Sequence, residues 1–272
     1  MGKKHHKFNF KKKHNFPKNK NNSHINNKNN NINKVIKNPK ANEKIKLEEK
    51  ILNNLEDTKF RILNEKLYNS SSEEALDYFK SNTEDFITYH KGFSSQAKKW
   101  PLNPNDLILK TLLLPKYKSI TIADIGCGEA NLAKKLGPLG YKIFSFDLVS
   151  LNDYITVADM KNLPIENGKI DLAIYCLSLM NKNFIPFIVE ANRILKDNGK
   201  LIVAEIKSRI VDMDKFLKIF EKYGFKVIKT RNLEDYFEMI IFKKIKNCEI
   251  FKKDKDLDNT YDILKPCLYK KR

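Results

Sequence analysis

The stretch Ile120-Thr121-Ile122-Ala123-Asp124-Ile125-Gly126-Cys127-Gly128-Glu129-Ala130-Asn131-Leu132 decides the fold. Its first half is a short β-rich run. It breaks at two glycines one residue apart, and helix-forming residues carry on from Ala130 to Leu136. Gly126 and Gly128 let the backbone turn sharply and let a ligand touch main-chain atoms with no side chain between. The third glycine of a dinucleotide fingerprint falls at Asn131 and is missing, so NAD loses ground. Asp124, two residues before the first glycine, fits instead a ligand with a zwitterionic amino-acid end. A turn with a purely structural role is the plainer alternative.

Working outward, short β-rich runs alternate with helical segments. Lys142–Phe146, Ile155–Val157 and Ile170–Cys176 read as strands, and Phe184–Leu195 as a helix. Leu201–Glu205 reads as a strand, Met213–Tyr223 as a helix, and Phe225–Lys229 and Phe237–Phe242 as strands. Such alternation is the signature of a doubly wound α/β sheet. The last two strands follow each other without a helix, so they form an antiparallel hairpin. A mostly parallel seven-stranded sheet ending in such a hairpin resembles the Rossmann-like class I methyltransferases, which use S-adenosylmethionine.

Charge divides the 272-residue chain. The formal net charge is +19, and residues 1–46 hold 14 Lys against one acid, Glu43, a net +13. The remaining +6 is close to ordinary for a globular domain, which excludes a uniformly basic packing protein. Residues 1–46 are also rich in Asn and poor in apolar side chains, so they form a basic arm expected to be disordered in isolation. The arm is either a solvated tail or a polycation for RNA and nuclear import. No run of about 18 apolar residues spans a membrane, and no apolar stretch follows the basic N-terminus to make a secretory signal. Cys127, Cys176, Cys248 and Cys267 lie far apart without a C-x-x-C pair, so neither a disulfide framework nor a zinc knuckle is expected.

From Glu43 to Tyr68 apolar residues recur at helical spacing: Leu47, Ile51, Leu52, Leu55, Ile62, Leu63 and Leu67. Ser71 and Glu74 form a capping box for a following helix. Trp100-Pro101-Leu102-Asn103-Pro104 interrupts the pattern before Asp106–Leu114 resumes it. The expected organisation is a basic arm over 1–46, a helical subdomain over 47–118, a methyltransferase-like domain over 119–245 and a C-terminal extension over 246–272.

The strand ends supply the candidate site. Asp147 closes the second strand, where a carboxylate in this fold class accepts from ribose hydroxyls. The alternative for it is a simple turn residue. Asp159 and Met160 follow the third strand, placed to meet an adenine amino group and ring edge. The fourth strand closes at Cys176-Leu177-Ser178-Leu179-Met180, above the switch point of the sheet. Cys176 has no basic partner in its own segment, so packing and a backbone contact suit it better than nucleophilic chemistry. No metal-ligand spacing appears, and His90 is the one histidine beyond the arm.

Several segments together resemble one family, the ribosomal RNA-processing protein 8 (nucleomethylin) methyltransferases. They are Tyr89-His90-Lys91-Gly92-Phe93 with Gln96 and Trp100–Pro104, the 123–128 glycine loop, Phe146-Asp147-Leu148, Val157-Ala158-Asp159-Met160, Cys176–Met180, Glu190–Lys196 and the final Pro266–Arg272. The resemblance covers about residues 60–272. It implies transfer of a methyl group from S-adenosylmethionine to N1 of an adenosine in large-subunit ribosomal RNA, in the nucleolus. It places His90, Gly126, Asp147, Asp159, Met160 and Cys176 at the cofactor and points to no catalytic side chain. The implied partners are ribosomal RNA or a pre-ribosomal particle. Chromatin-silencing factors are implied in the alternative where the protein only senses the cofactor; a protein or small-molecule substrate is a further alternative. The chain departs from the family at Ser94, where a basic residue is expected, and at Asn181-Lys182 and Asp197-Asn198-Gly199, where glycine-containing turns are expected.

Overall fold

A computed structural model describes residues 39–248 and 263–269. Most of the basic arm, up to residue 38, and the terminal Lys270-Lys271-Arg272 lie outside these. By its internal contacts the chain divides into a unit over 1–53 and a unit over 54–272.

Helix α1 (Pro39–Asn69) begins inside the segment read from composition as arm and crosses the division between the units. The part before residue 54 is a helical turn sequence with an exposed Lys44–Glu48 pair at 3.9 Å and exposed Leu47, Ile51 and Leu52. Periodicity there predicted the helix, not a buried face. In the second unit Leu55 and Ile62 are likewise exposed, whereas Phe60, Leu63 and Leu67 are buried.

Three more helices complete the helical layer: α2 (Ser72–Ser81), α3 (Thr83–Ala97) and α4 (Pro104–Leu112). The capping box is formed. The Ser71 side chain accepts from the Glu74 N–H, and the Glu74 carboxylate accepts from the Ser71 N–H. At the start of α4 the Asn103 side chain accepts from the Asn105 N–H at 2.9 Å, and Pro104 takes the first helical position, where a missing N–H costs nothing.

The sheet follows: β1 (Thr121–Ile125), α5 (Asn131–Leu136), β2 (Lys142–Asp147), β3 (Ile155–Val157), β4 (Ile170–Cys176), α6 (Ile185–Ile194), β5 (Leu195–Ile206), α7 (Met213–Lys222), β6 (Phe225–Leu233) and β7 (Phe237–Lys244). The order is β3-β2-β1-β4-β5-β7-β6. Pairings from β3 through β5 are parallel, and β7 runs antiparallel between β5 and β6. This is the mostly parallel seven-stranded sheet with a C-terminal hairpin that the sequence predicts. The reversal of strand order on either side of β1 and β4 makes the crevice where ligands sit in open α/β sheets. One expectation was too short: β5 starts directly after α6, so Asp197-Asn198-Gly199 lies within the strand, with Asn198 at φ +64°. Asn tolerates that left-handed conformation because its short polar side chain bonds locally.

Both faces of the sheet are covered, which is why the central strands are apolar at nearly every position. Ala123, Ile125, Ala173, Tyr175, Leu201 and Val203 pack with α6 and α7. Their neighbours in sequence, Ile122, Leu172, Ile174, Ile202 and Ala204, pack with Ile108 and Leu112 of α4 and Leu132 and Leu136 of α5. A third cluster joins Phe60, Leu63, Leu67, Phe79, Phe86 and Tyr89 of the helical layer to Leu148 and Val149, just past the end of β2. That cluster sets the helical layer over the strand ends.

Polar side chains lock the same junction. The Arg209 guanidinium is buried and donates to Glu205 at 2.6 Å, to the Leu179 carbonyl at 2.7 Å and to the Lys265 carbonyl at 3.0 Å. It also lies over the Tyr68 ring, 4.7 Å from the centroid. Asn181 donates to the carbonyls of Leu67, Ser70 and Ser71, and Asn64 donates to the Cys267 carbonyl at 2.8 Å. Leaving Glu205 buried without its guanidinium removes a partner from a desolvated charge. Arg209→Met is therefore expected to lower the unfolding free energy by about 3–5 kcal/mol in urea titration. Lys207→Ala, which breaks the solvent-exposed pair with Asp235, leaves the midpoint unmoved.

Candidate active site

The glycine loop joins β1 to α5 at the crevice. The N–H groups of Gly126 and Cys127 both donate to the Phe146 carbonyl, at 2.8 and 3.0 Å, and the Gly128 N–H donates to Asp147 Oδ2 at 2.7 Å. The loop is thus fastened along its length to the end of β2. Gly126 has φ +71°, and a Cβ there would sit 2.4 Å from the Ser178 Cβ. Gly128 has φ +59°, and a Cβ there would press on the His90 ring at 3.3 Å. Left-handed backbone and close approach both demand glycine at these two positions.

Around the loop lies a cavity that opens to solvent. One side of its lining comes from the strand ends: Asp124, Gly126, Gly128, Asp147, Leu148, Met160, Cys176, Leu177 and Ser178. The other comes from the helical layer: Leu67, Phe86, Tyr89, His90, Phe93, Asn103 and Asn105. Leu177 sits at φ +58°, a strained conformation for a residue with a Cβ, and its N–H donates to Ala204. That single twisted residue turns the chain away from β4, so that Ser178 and Met180 face the cavity.

Of the six candidate site residues, His90, Gly126, Asp147, Met160 and Cys176 line this one cavity. Asp159 does not. Its carboxylate accepts from the Ser72 hydroxyl at 3.0 Å and from the Lys161 N–H at 3.0 Å, and so ties the loop after β3 to the start of α2. Cys176 has its thiol pushed well above the ordinary range by burial and by Asp124 and Glu205, so it stays protonated. Among the described residues no cluster of His, Cys, Asp and Glu has the makings of a metal site.

Burial shapes the charges. The His90 imidazole is pushed down to about 4, so it is neutral at physiological pH. Asp147 is pushed up to about 6 by burial, against the pull of the Gly128 and Leu148 N–H donors. Asp124 is pushed up to about 7 by burial and by the neighbouring Asp147. Asp124 Oδ2 and the Ser178 hydroxyl are buried without a hydrogen-bond partner among the described residues. Orphaned buried polar atoms of this kind are costly, and here both belong to the cavity lining. A cationic ligand carrying hydrogen-bond donors satisfies them. The amino-acid end and sulfonium of S-adenosylmethionine have that chemistry, and its ribose hydroxyls suit the remaining acceptor capacity of Asp147.

Several cavity residues were not among the sequence-derived site candidates. Tyr89 donates to the Met180 sulfur at 3.1 Å and stands against His90 edge-on. Ser94, where a basic residue was expected, donates to Glu129 at 3.2 Å across the mouth of the glycine loop. Asn181, replacing a turn glycine, holds three carbonyls of the helical layer. Tyr89 left its signal as part of the Tyr89–Phe93 motif, and Ser94 and Asn181 as departures from the family pattern.

A family model described as hypothetical methyltransferase matches residues 46–272. The chain is 42% identical over 245 residues to ribosomal RNA-processing protein 8 of Dictyostelium discoideum, covering 87% of this chain and 62% of that protein. It is 45% identical over 215 residues to ribosomal RNA-processing protein 8 of Caenorhabditis elegans, covering 79% and 60%. It is 37% identical over 236 residues to the 25S rRNA (adenine(645)-N(1))-methyltransferase of Schizosaccharomyces pombe, covering 83% and 72%. The chain thus spans about three fifths of the length of the first two relatives.

The raised Asp124 value makes a signed prediction for the ligand-free protein. The folded state binds this proton more tightly than the unfolded chain, whose value is near 3.8. The stabilisation is therefore fully present below that value and is lost as pH rises through about 7. Urea titrations should show the parent gaining roughly 1 kcal/mol over Asp124→Asn as pH is lowered from about 8 to 6. His90 and Asp147 are present in both proteins, and their contributions cancel to first order.

Proposed function

We propose that this chain, which belongs to the ribosomal RNA-processing protein 8 family of methyltransferases, transfers a methyl group from S-adenosylmethionine to N1 of an adenosine in large-subunit ribosomal RNA. The observation that carries the reading is the convergence of the glycine loop, Asp147 and the unpartnered Asp124 and Ser178 atoms on one cavity. The name of the Schizosaccharomyces pombe relative supports adenine N1 as the acceptor. Such a reaction belongs with ribosome biogenesis in the nucleolus, on ribosomal RNA or a pre-ribosomal particle.

When bound, the cofactor supplies a methyl group on a sulfonium, open to attack by a lone pair such as that of adenine N1. Asp147 holds the ribose hydroxyls, while Leu148 and Met160 offer an apolar slot for the adenine ring. Asp124 and Ser178 meet the amino-acid end. Adenine N1 carries no proton at neutral pH, so the site needs no strong base, and neutral His90 with thiol Cys176 agrees with that. The chain's contribution is position and dryness: the α1–α3 cluster of Phe60, Leu67, Phe86 and Tyr89 excludes water from the strand ends. N1 lies on the base-pairing edge, so the target must be unpaired or extruded before it reaches the cavity.

Asp147→Ala is expected to weaken binding of S-adenosylhomocysteine by about 10- to 100-fold, the loss of one or two charge-assisted hydrogen bonds. Mapping of N1-methyladenosine in ribosomal RNA should then show the mark lost at one large-subunit position. Persistence of every such mark would overturn the assignment. Deleting residues 1–38, which hold 11 Lys and no acid, should weaken RNA binding and flatten its dependence on salt. Filter binding across a salt series reads the slope directly.

A further inference from the structure

We propose that Asn105 selects the target base, its side-chain amide pairing with the N6 amino group and N7 of adenine. This rests on the adenosine-methylation reading above and adds the residue that makes it specific. Asp124 and Ser178 have unpartnered atoms but are assigned above to the cofactor's amino-acid end, and several other polar side chains of the cavity are engaged within the protein. Asn103 accepts from the Asn105 N–H, Ser94 donates to Glu129, and Asn181 holds three carbonyls. Asp147 accepts from two backbone N–H groups. The Asn105 amide lines the same cavity and has no hydrogen bond to the described residues. Asn131 is similarly free, but it opens the helix that follows the glycine loop and so belongs to the strand-end side.

The backbone at Asn105 is held in place. Its N–H is fixed by the Asn103 cap, and the preceding Pro104 is buried with its φ set by the ring. Phe93 lines the same cavity; it packs edge-on against Trp100 at 5.6 Å, and Trp100 packs in turn against Phe237 at 5.1 Å. An aromatic wall braced from behind, in one cavity with an amide free to pair, fits a planar base that has left its helix.

The donor and acceptor pattern then names the base. Asparagine offers one donor and one acceptor in a plane, which matches the N7 acceptor and N6 donor of adenine. Guanine presents two acceptors on that edge, so one end of the amide would meet its own kind, and pyrimidines lack N7. This pairing has a further merit for the reaction. It grips the edge that does not react and leaves N1 free, whereas reading the pairing edge would cover the attacking atom.

The test compares single-turnover methylation of a ribosomal RNA fragment carrying adenosine or 7-deazaadenosine at the target position. The 7-deaza base lacks only the N7 acceptor, and its altered N1 reactivity cancels when proteins are compared. The adenosine to 7-deazaadenosine rate ratio of the parent should exceed that of Asn105→Ala by about 5- to 150-fold, the discrimination given by one bidentate pair. Asn105→Asp, which keeps the shape and removes the Nδ2 donor, should lose the ratio equally. Calorimetric affinity for S-adenosylhomocysteine should stay within about twofold in both variants. Equal ratios in parent and variants overturn the assignment, as does a variant whose loss is one of cofactor affinity. A parent that methylates neither RNA defeats the adenosine-methylation reading itself, a separate and recognisable outcome.

Discussion

The buried Arg209–Glu205 pair is the constraint on which the arrangement of the site depends. A guanidinium cannot shed its proton, so once it is taken from water every donor needs an acceptor. Here the acceptors come from different parts of the chain: a carboxylate at the end of β5, the Leu179 carbonyl beyond β4, and the Lys265 carbonyl near the C-terminus. Tyr68 of α1 covers the flat face. No two of these segments can separate without stranding a buried charge, at a cost well above that of an ordinary surface contact. The loop that carries Leu177, Ser178 and Met180 into the cavity is thereby held at its far end as well as at its strand.

Held on that frame, the glycine loop and Asp147 act as one piece. The loop's N–H groups are spent on Phe146 and Asp147, so β1, β2 and the first turn of the crevice share one set of bonds. Two buried carboxylates repel each other and resist ionisation. The protein tolerates this because a cation with several donors relieves both at once. Ligand-free strain and ligand affinity are here the same quantity seen from two sides, as elsewhere at binding sites whose polar groups are left unpaired.

Much of this was legible in the residues. The β-rich runs, the two glycines and the carboxylates at strand ends are local signals, and local signals survive in a single sequence. Five of the six candidate residues share one cavity for that reason. Asp159 shows what position alone leaves open: its carboxylate accepts from the Ser72 hydroxyl, 87 positions away, a partner that no spacing announces. Periodicity reported α1 as helical but not that Leu47, Ile51, Leu52 and Leu55 are exposed. The repeat shows which residues share a side, and says nothing of whether anything lies against it. The Glu190-Ala191-Asn192-Arg193 segment carried part of the resemblance, yet its polar groups serve architecture. Glu190 and Arg193 bind the 163–167 connection, and Asn192 binds Tyr223, Lys246 and Cys248. Long-range hydrogen bonds of this sort leave no spacing to read.

The short C-terminal run at 263–269 has a consequence in time. It bridges Leu264 to Ile210, bonds Lys265 to Arg209, accepts from Asn64 through Cys267 and lays Tyr269 against Phe60. Asn64 and Cys267 are 203 positions apart. A growing chain is made at about 5–20 residues per second, and its earlier segments fold while later ones are still in the ribosome. The sheet can assemble in that interval. The guanidinium that latches the helical layer over the crevice receives its Lys265 acceptor only after every strand of the sheet has been made. A nascent copy therefore has its strands before it has its latch.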